Sequence, residues 1–124
     1  MKARLVIVDD VQALREEWRV ILEEEFEIVG EAADGLQAVE VCCRACPDVI
    51  VMDLVMPRLS GIEATRQIIE RCREKVPKIV IVSGLKNENI VMQAFEAGAC
   101  DYLFKPVEPE KLRKVLRSFS RNAA

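Results

Sequence analysis

"LVIVDDVQ", residues 5–12, decides how the rest of the chain is read. Four apolar residues stand in a row, three of them β-branched, so neither face of the segment is polar. That is the pattern of a strand buried on both sides. It ends on two adjacent carboxylates, Asp9 and Asp10, which repel and raise each other's pKa unless a cation offsets them. A buried strand that finishes in paired acids marks both a sheet and a place where charge is needed.

Outward from this stretch the pattern repeats. Leu14, Trp18, Ile21 and Leu22 recur at helical spacing and predict a helix to about Glu25. "EIVGEA" (27–32) is a second strand, and Asp34 with Gln37 starts a helix that Pro47 ends. "DVIVMD" (48–53) is a third strand, again closing on a carboxylate. Pro57 to Gly61 forms a loop, and Ser60 with Glu63 makes a capping box for a helix whose inward face is Ile62, Ile69 and Cys72, with Ile68 beside them. "KIVIVS" (78–83) is the fourth strand, and the following helix, about Asn87 to Ala97, stops at Gly98. "DYLF" (101–104) is a short fifth strand followed by Lys105 and Pro106. A last helix from about Glu108 to Ser120 has Pro109 in its first turn and a stripe of Leu112, Val115, Leu116 and Phe119. Continuous apolar strands alternating with amphipathic helices predict an α/β fold, a doubly wound (βα)5 parallel sheet with helices on both faces.

Composition bounds the function. The chain has 124 residues, 51% of them hydrophobic and 31% charged, with a net charge of −3, which suits one soluble domain and gives no support for a nucleic-acid surface. No apolar run reaches the roughly 20 residues of a membrane span, and no signal-peptide pattern is present, so a cytoplasmic location is expected. Five cysteines (Cys42, Cys43, Cys46, Cys72 and Cys100) are an odd number in such a context and argue against a disulfide framework. Cys43 and Cys46 form a C-x-x-C, yet late in a helix and with no histidine in the chain to complete a zinc shell. Buried, apolar cysteines are the expectation.

In a parallel doubly wound sheet the ligand lies beyond the carboxyl ends of the strands. The polar residues there are Asp9, Asp10, Asp53, Ser83 and Lys105. Singly each has a plain explanation: Asp10 as a helix cap, Asp53 as the start of a solvated loop, Ser83 on a strand-end amide, Lys105 in solvent. Jointly, clustered carboxylates suit Mg2+, a carboxylate beside the metal can attack phosphorus, and an ammonium and a hydroxyl can hold the phosphoryl oxygens.

"VDD", "VMDLVMPRLSGIEA", "IVSG" and "AGACDYLFKP", at these spacings, closely resemble the receiver domain of two-component response regulators, of the chemotaxis-regulator-like phosphoacceptor type. The resemblance covers nearly the whole chain and implies the flavodoxin-like strand order 2-1-3-4-5, with a receiver domain over residues 1–121 and a tail at 122–124. It implies that Asp53 accepts a phosphoryl group from a sensor histidine kinase or phosphotransfer protein. Asp9, Asp10, Asp53 and the Val55 backbone carbonyl would hold Mg2+, with Mn2+ able to substitute. Of the two neighbouring aspartates, Asp10 is expected in direct metal contact and Asp9 through a metal-bound water. Ser83 and Lys105 would contact the phosphoryl oxygens, and Lys105–Pro106 would be a cis peptide. Ser83 and Tyr102 would switch the face formed by the fourth helix, fifth strand and fifth helix, which meets an output domain or downstream protein. The implied activity is signalling: the domain catalyses only its own phosphorylation and dephosphorylation, without binding nucleic acid or membrane itself, as a monomer or a weak phosphorylation-enhanced dimer. The first helix, around Val11, Leu14 and Arg15, is where the phosphodonor is expected. Apolar Val55 and Leu85 imply slow loss of the phosphoryl group.

Three other functions use the same features less well. A Mg2+-dependent phosphatase needs a second acid or base and a D-x-D pattern that the site segment does not carry. A phosphorylation-independent interaction module is expected to lack one of the site residues, and all are present. A flavin or nucleotide protein would show a glycine-rich phosphate loop, which is absent from the sequence.

Overall fold

The computed structural model describes residues 1–120, in which strands and helices alternate strictly. The elements are β1 (Ala3–Val8), α1 (Gln12–Leu22), β2 (Phe26–Ala32), α2 (Gly35–Ala45), β3 (Val49–Met52), α3 (Gly61–Arg71), β4 (Lys78–Ser83), α4 (Glu88–Ala97), β5 (Asp101–Phe104) and α5 (Pro109–Ser120). The strands form one parallel sheet in the order β2-β1-β3-β4-β5, so β1 and β3 lie innermost at the point where the order reverses. The expected boundary at residue 121 and the tail at 122–124 lie outside the described residues.

Alternation along each strand divides the interior into two cores. Val6 and Val8, Ile50 and Met52, and Ile79 and Ile81 face α2, α3 and α4, meeting Ala38, Val39, Cys42, Ala64, Ile68 and Ala94. Their neighbours Leu5 and Ile7, Val49 and Val51, and Val80 and Val82 face α1 and α5, meeting Trp18, Leu22, Leu112 and Leu116. Both faces of β1 are therefore shut away from water, and Leu5 through Val8 are each 0% exposed. Each such side chain contributes roughly 1.5–3 kcal/mol of transfer free energy.

Local chemistry fixes the helix ends. The Asp34 carboxylate accepts from the Gln37 amide at 2.8 Å, while the Gln37 side chain accepts from the Ala33 amide at 2.9 Å, one residue before the cap. Ser60 accepts from the Glu63 amide at 3.3 Å, but the Glu63 carboxylate turns to Arg66, so only half of that capping box forms. Asn87 caps α4 on the amides of Asn89 and Ile90.

Two details depart from the sequence expectation. Ile68 is the fully buried residue of α3, with Ala64 and Thr65, whereas Ile62, Ile69 and Cys72 pack along its flank. In β2 the register with β1 slips between Leu5 and Val6, leaving Val29 as an extra residue in a bulge on this edge strand.

Candidate functional site

The inner strands end side by side, and the turns that follow them bring the acidic residues together. One carboxylate oxygen from each of Asp9, Asp10 and Asp53 lies within 4.8 Å of the other two. Asp9 follows β1 and is 0% exposed, Asp53 follows β3 and is 7% exposed, and Asp10 stands out into solvent. The chain after β3 doubles back so that α3 begins against the Asp53 backbone. A Cβ at Gly61 would stand 2.4 Å from the Asp53 carbonyl oxygen and 2.8 Å from the Leu54 Cα, so glycine is required at this approach. The Gly61 amide donates to the Leu54 carbonyl at 2.9 Å and locks the turn.

Lys105 reaches into this group from the end of β5. Its ammonium lies 2.9 Å from Asp9 Oδ2 and 3.4 Å from Asp53 Oδ2. Its Nζ also sits 5.6 Å from the ring centroid of Trp18 in α1. The Lys105 amide donates to the Ser83 carbonyl at 2.9 Å, tying the ends of β4 and β5, and the Lys105–Pro106 peptide is cis.

Most of the other acceptor oxygens already have donors. Asp9 Oδ1 takes the Val11 amide at 2.9 Å in the turn before α1, whose N-cap is Val11 without a side-chain cap, so the cap role expected of Asp10 is not filled. Asp53 Oδ1 takes the Leu54 amide at 2.7 Å, which leaves Oδ2 toward Lys105. The Val55 side chain is exposed, and its carbonyl accepts no hydrogen bond among the described residues. Ser83 is fully buried, and its hydroxyl accepts from the Leu85 amide at 3.2 Å. The Tyr102 ring is buried in the first core, and its hydroxyl donates to the Leu85 carbonyl at 2.7 Å. Ser83 and Tyr102 thus hold the two polar ends of one residue.

Burial pushes the Asp53 carboxyl above its usual range, and the Asp9 charge adds to this; Lys105 and the Leu54 amide oppose it without cancelling it. Burial alone would pull Lys105 down, but the hydrogen bond to Asp9 and the charges of Asp53 and Asp9 hold the ammonium above the usual lysine value. Three carboxylates face this one ammonium, leaving a formal excess of two negative charges. Oxygen donors alone, with no histidine in the chain and no thiol in the group, fit a hard divalent cation such as Mg2+.

Two contributors had no signature in the sequence. Arg15 donates to the Asp9 carbonyl at 2.6 Å and to Glu31 at 3.3 Å, so it braces the turn after β1. Trp18 reads as one member of an apolar stripe, and only its packing shows that its ring lies by Lys105. The cysteines also differ from expectation: Cys42 alone is buried, Cys43, Cys72 and Cys100 are half-buried, and Cys46 is exposed.

The family model described as "Response regulator receiver domain" matches residues 5–117. The transcriptional regulatory protein DegU of Brevibacillus brevis is 37% identical, over 99% of this chain and 52% of its own length. The chemotaxis protein CheY of Thermotoga maritima is 33% identical, over 98% of this chain and 100% of its own length. The solved response regulator domain of Thermotoga maritima CheB superposes with a TM-score of 0.88 at 31% identity, covering 98% of both chains. The chain spans about half the length of DegU and of LiaR from Bacillus subtilis, 52% and 56% respectively.

Proposed function

The chain belongs to the response regulator receiver domain family, and on that premise we propose that it is the phosphoacceptor of a two-component system, taking a phosphoryl group onto Asp53 in a Mg2+-dependent reaction. The observation that carries this reading is Asp53 itself: buried, one oxygen fixed by the Leu54 amide, the other turned toward Lys105 inside a cluster of acids. A phosphohistidine on a sensor kinase or phosphotransfer protein is the donor. The Asp53 Oδ2 lone pair attacks phosphorus, the bond to the donor nitrogen breaks, and an acyl phosphate results. Lys105 and Ser83 then contact the phosphoryl oxygens. Asp9, Asp10, Asp53 and the Val55 carbonyl would hold Mg2+, or Mn2+ in its place. When bound, the cation supplies the positive charge that offsets both the carboxylates and the phosphoryl group.

The same contacts support a switch. If Ser83 turns its hydroxyl to the phosphoryl group, it releases the Leu85 amide, and Leu85 is the residue whose carbonyl holds Tyr102. The change reaches α4, β5 and α5, the face we assign to an output domain or downstream partner. The domain signals and does not turn over an external substrate, and we place it in the cytoplasm. Among the described residues no helix is long and apolar enough to cross a membrane.

Incubation with acetyl phosphate and Mg2+, followed by intact mass measurement, tests the proposal. One base-labile phosphoryl group is expected, lost in Asp53→Asn and on removal of Mg2+ by a chelator. Labelling that persists in Asp53→Asn, or steady release of phosphate in place of a labelled protein, would overturn it. Val55 and Leu85 offer no polar side chain to orient an attacking water, so the label should decay slowly. Val55→Asn combined with Leu85→Glu should shorten its lifetime by up to about a hundredfold, the low end of what a positioned acid–base group contributes. An unchanged decay would count against this role.

A further inference from the structure

Strand ends gather the acidic site at one edge of the sheet, and helix ends gather sulfur at the other. Cys43 in the last turns of α2 and Cys72 at the C-cap of α3 place their sulfurs 4.0 Å apart. Cys46 caps α2 in a left-handed conformation, φ 49°, and its sulfur contacts the Cys43 carbonyl at 3.7 Å. A cleft of about 440 Å3 opens over Cys43, Cys46 and Cys72 and is walled by Arg71, Arg73, Glu74 and Lys75. Nothing in the phosphoacceptor reading uses these residues.

We propose that Cys43 and Cys72 form an oxidisable dithiol, a modification site that takes a hydroperoxide as its two-electron oxidant and closes to a disulfide tying α2 to α3. The Cys43 thiolate attacks the terminal peroxide oxygen, the O–O bond breaks, and the departing oxygen takes a proton and leaves as water when the oxidant is hydrogen peroxide. The Cys72 sulfur then attacks the Cys43 sulfenic acid, the S–O bond breaks, and a second water leaves with the Cys72 proton. Two thiols are oxidised, one peroxide is reduced to two waters, and a thiol reductant reverses the change.

Several observations set the order and the pairing. Burial and the neighbouring thiols push Cys72 up to about 11, so it stays protonated and acts second. Cys43 and Cys72 both line the cleft, so a small oxidant can reach the pair from solvent. Cys42 is enclosed in the first core and takes no part. A disulfide needs about 2.05 Å between sulfurs, so the pair must close by roughly 2 Å. Cys72 can provide that movement because it ends α3 and opens an exposed connection, Arg73 to Val76, before β4. A metal shell is the weaker alternative, because the acidic residues, not the thiols, form the group whose ligand atoms all fall within 4.8 Å.

The bond would close a loop of 29 residues that contains β3, Asp53 and α3, and so would restrict the unfolded chain. Hydrogen peroxide in slight excess, with non-reducing peptide mapping and thermal melting, tests this. The expected result is a Cys43–Cys72 link, a melting midpoint raised by several degrees, and reversal of both by dithiothreitol. Cys46→Ser, at an exposed position, should leave link and shift intact, while Cys43→Ser and Cys72→Ser should each abolish them. Cys43→Ala and Cys72→Ala, with circular dichroism to establish folding, repeat the test without a buried hydroxyl. A map dominated by Cys46 links, an intermolecular dimer, or no disulfide in Cys46→Ser would overturn the proposal.

Discussion

At Asp53, burial and the Asp9 carboxylate raise the pKa while Lys105 and the Leu54 amide lower it, and the raising side prevails. Folding therefore works against the charged form. Between the ordinary carboxylate range and the raised folded value, the native protein binds a proton that the unfolded chain has already lost. Stability falls as pH rises through that window. Asp53→Asn, which keeps the shape without the charge, should raise the melting midpoint at pH 7 by about 3–5 °C, the shift that about 1 kcal/mol produces in a domain of this size. It should also flatten the fall in stability as pH rises through that window, and a variant melting at or below the parent would refute this account. Lys105 behaves in the opposite limb: its raised pKa adds stability that is fully present below the unfolded lysine value and lost as pH rises through the folded one. Asp9 and Asp10 should separate in a double measurement. Asp9 is fully buried, accepts the Val11 amide and pairs with Lys105, so Asp9→Ala should cost about 2–4 kcal/mol of stability in chemical denaturation. Exposed Asp10 should cost almost nothing there, yet Asp10→Ala should weaken Mg2+ binding more than Asp9→Ala, as measured by calorimetric titration.

Helices and strands differ in how openly they wrote themselves into the chain. The inner strands β1, β3 and β4 were legible because burial on both faces forces continuous apolar runs, and the edge runs 27–32 and 101–104 also coincide with strands. Caps at Asp34 and Ser60 were legible because a side-chain oxygen must meet an orphan amide at a fixed spacing. The facing of α3 was not, since Ile62, Ile68 and Ile69 suit more than one stripe and the choice is made by neighbours. Gly98 is one of those neighbours. It ends α4 at φ +120°, and a Cβ there would stand 2.0 Å from Ile69 Cδ1. Gly98→Ala should therefore destabilise by about 1–3 kcal/mol, from backbone strain and from displacement of Ile69 together. Urea denaturation measures this, and a loss under 0.5 kcal/mol, within the usual surface range, would show that α3 yields freely. The Cys43–Cys72 approach was illegible for the same reason as the α3 facing: it depends on how two helices lie against each other, and no spacing within either one encodes it.

Across the whole molecule, residues from Asp9 to Lys105 become one site only because the strand order places β1 and β3 side by side with β4 and β5 next along. The list of strand-end residues was readable from the chain, but their distances and the bracing by Arg15 and Trp18 came from packing between layers. The order also leaves β5 as an edge strand flanked by α4, and this side carries exposed apolar groups: Met92 at 59% and Phe95 at 44% on α4, and Phe104 at 46% on β5. The T-shaped packing of Phe104 on Tyr102, with ring centroids 5.5 Å apart, couples that surface to the residue held by Leu85. If the switch operates as proposed, moving Tyr102 must move Phe104, so self-association through this face should respond to the state of Asp53. Sedimentation velocity with acetyl phosphate and Mg2+ should show weak dimers with a Kd of about 100 μM, roughly −5.5 kcal/mol, and more dissociated protein without the donor. A single buried carboxylate among these rings would cost more than such an interface provides, so Phe104→Glu and Phe95→Glu should each leave a monomer that still takes the label. Asp53→Asn should retain only the donor-independent association. Dimers of equal strength in Phe104→Glu would move the contact to another face and break the link between Tyr102 and assembly.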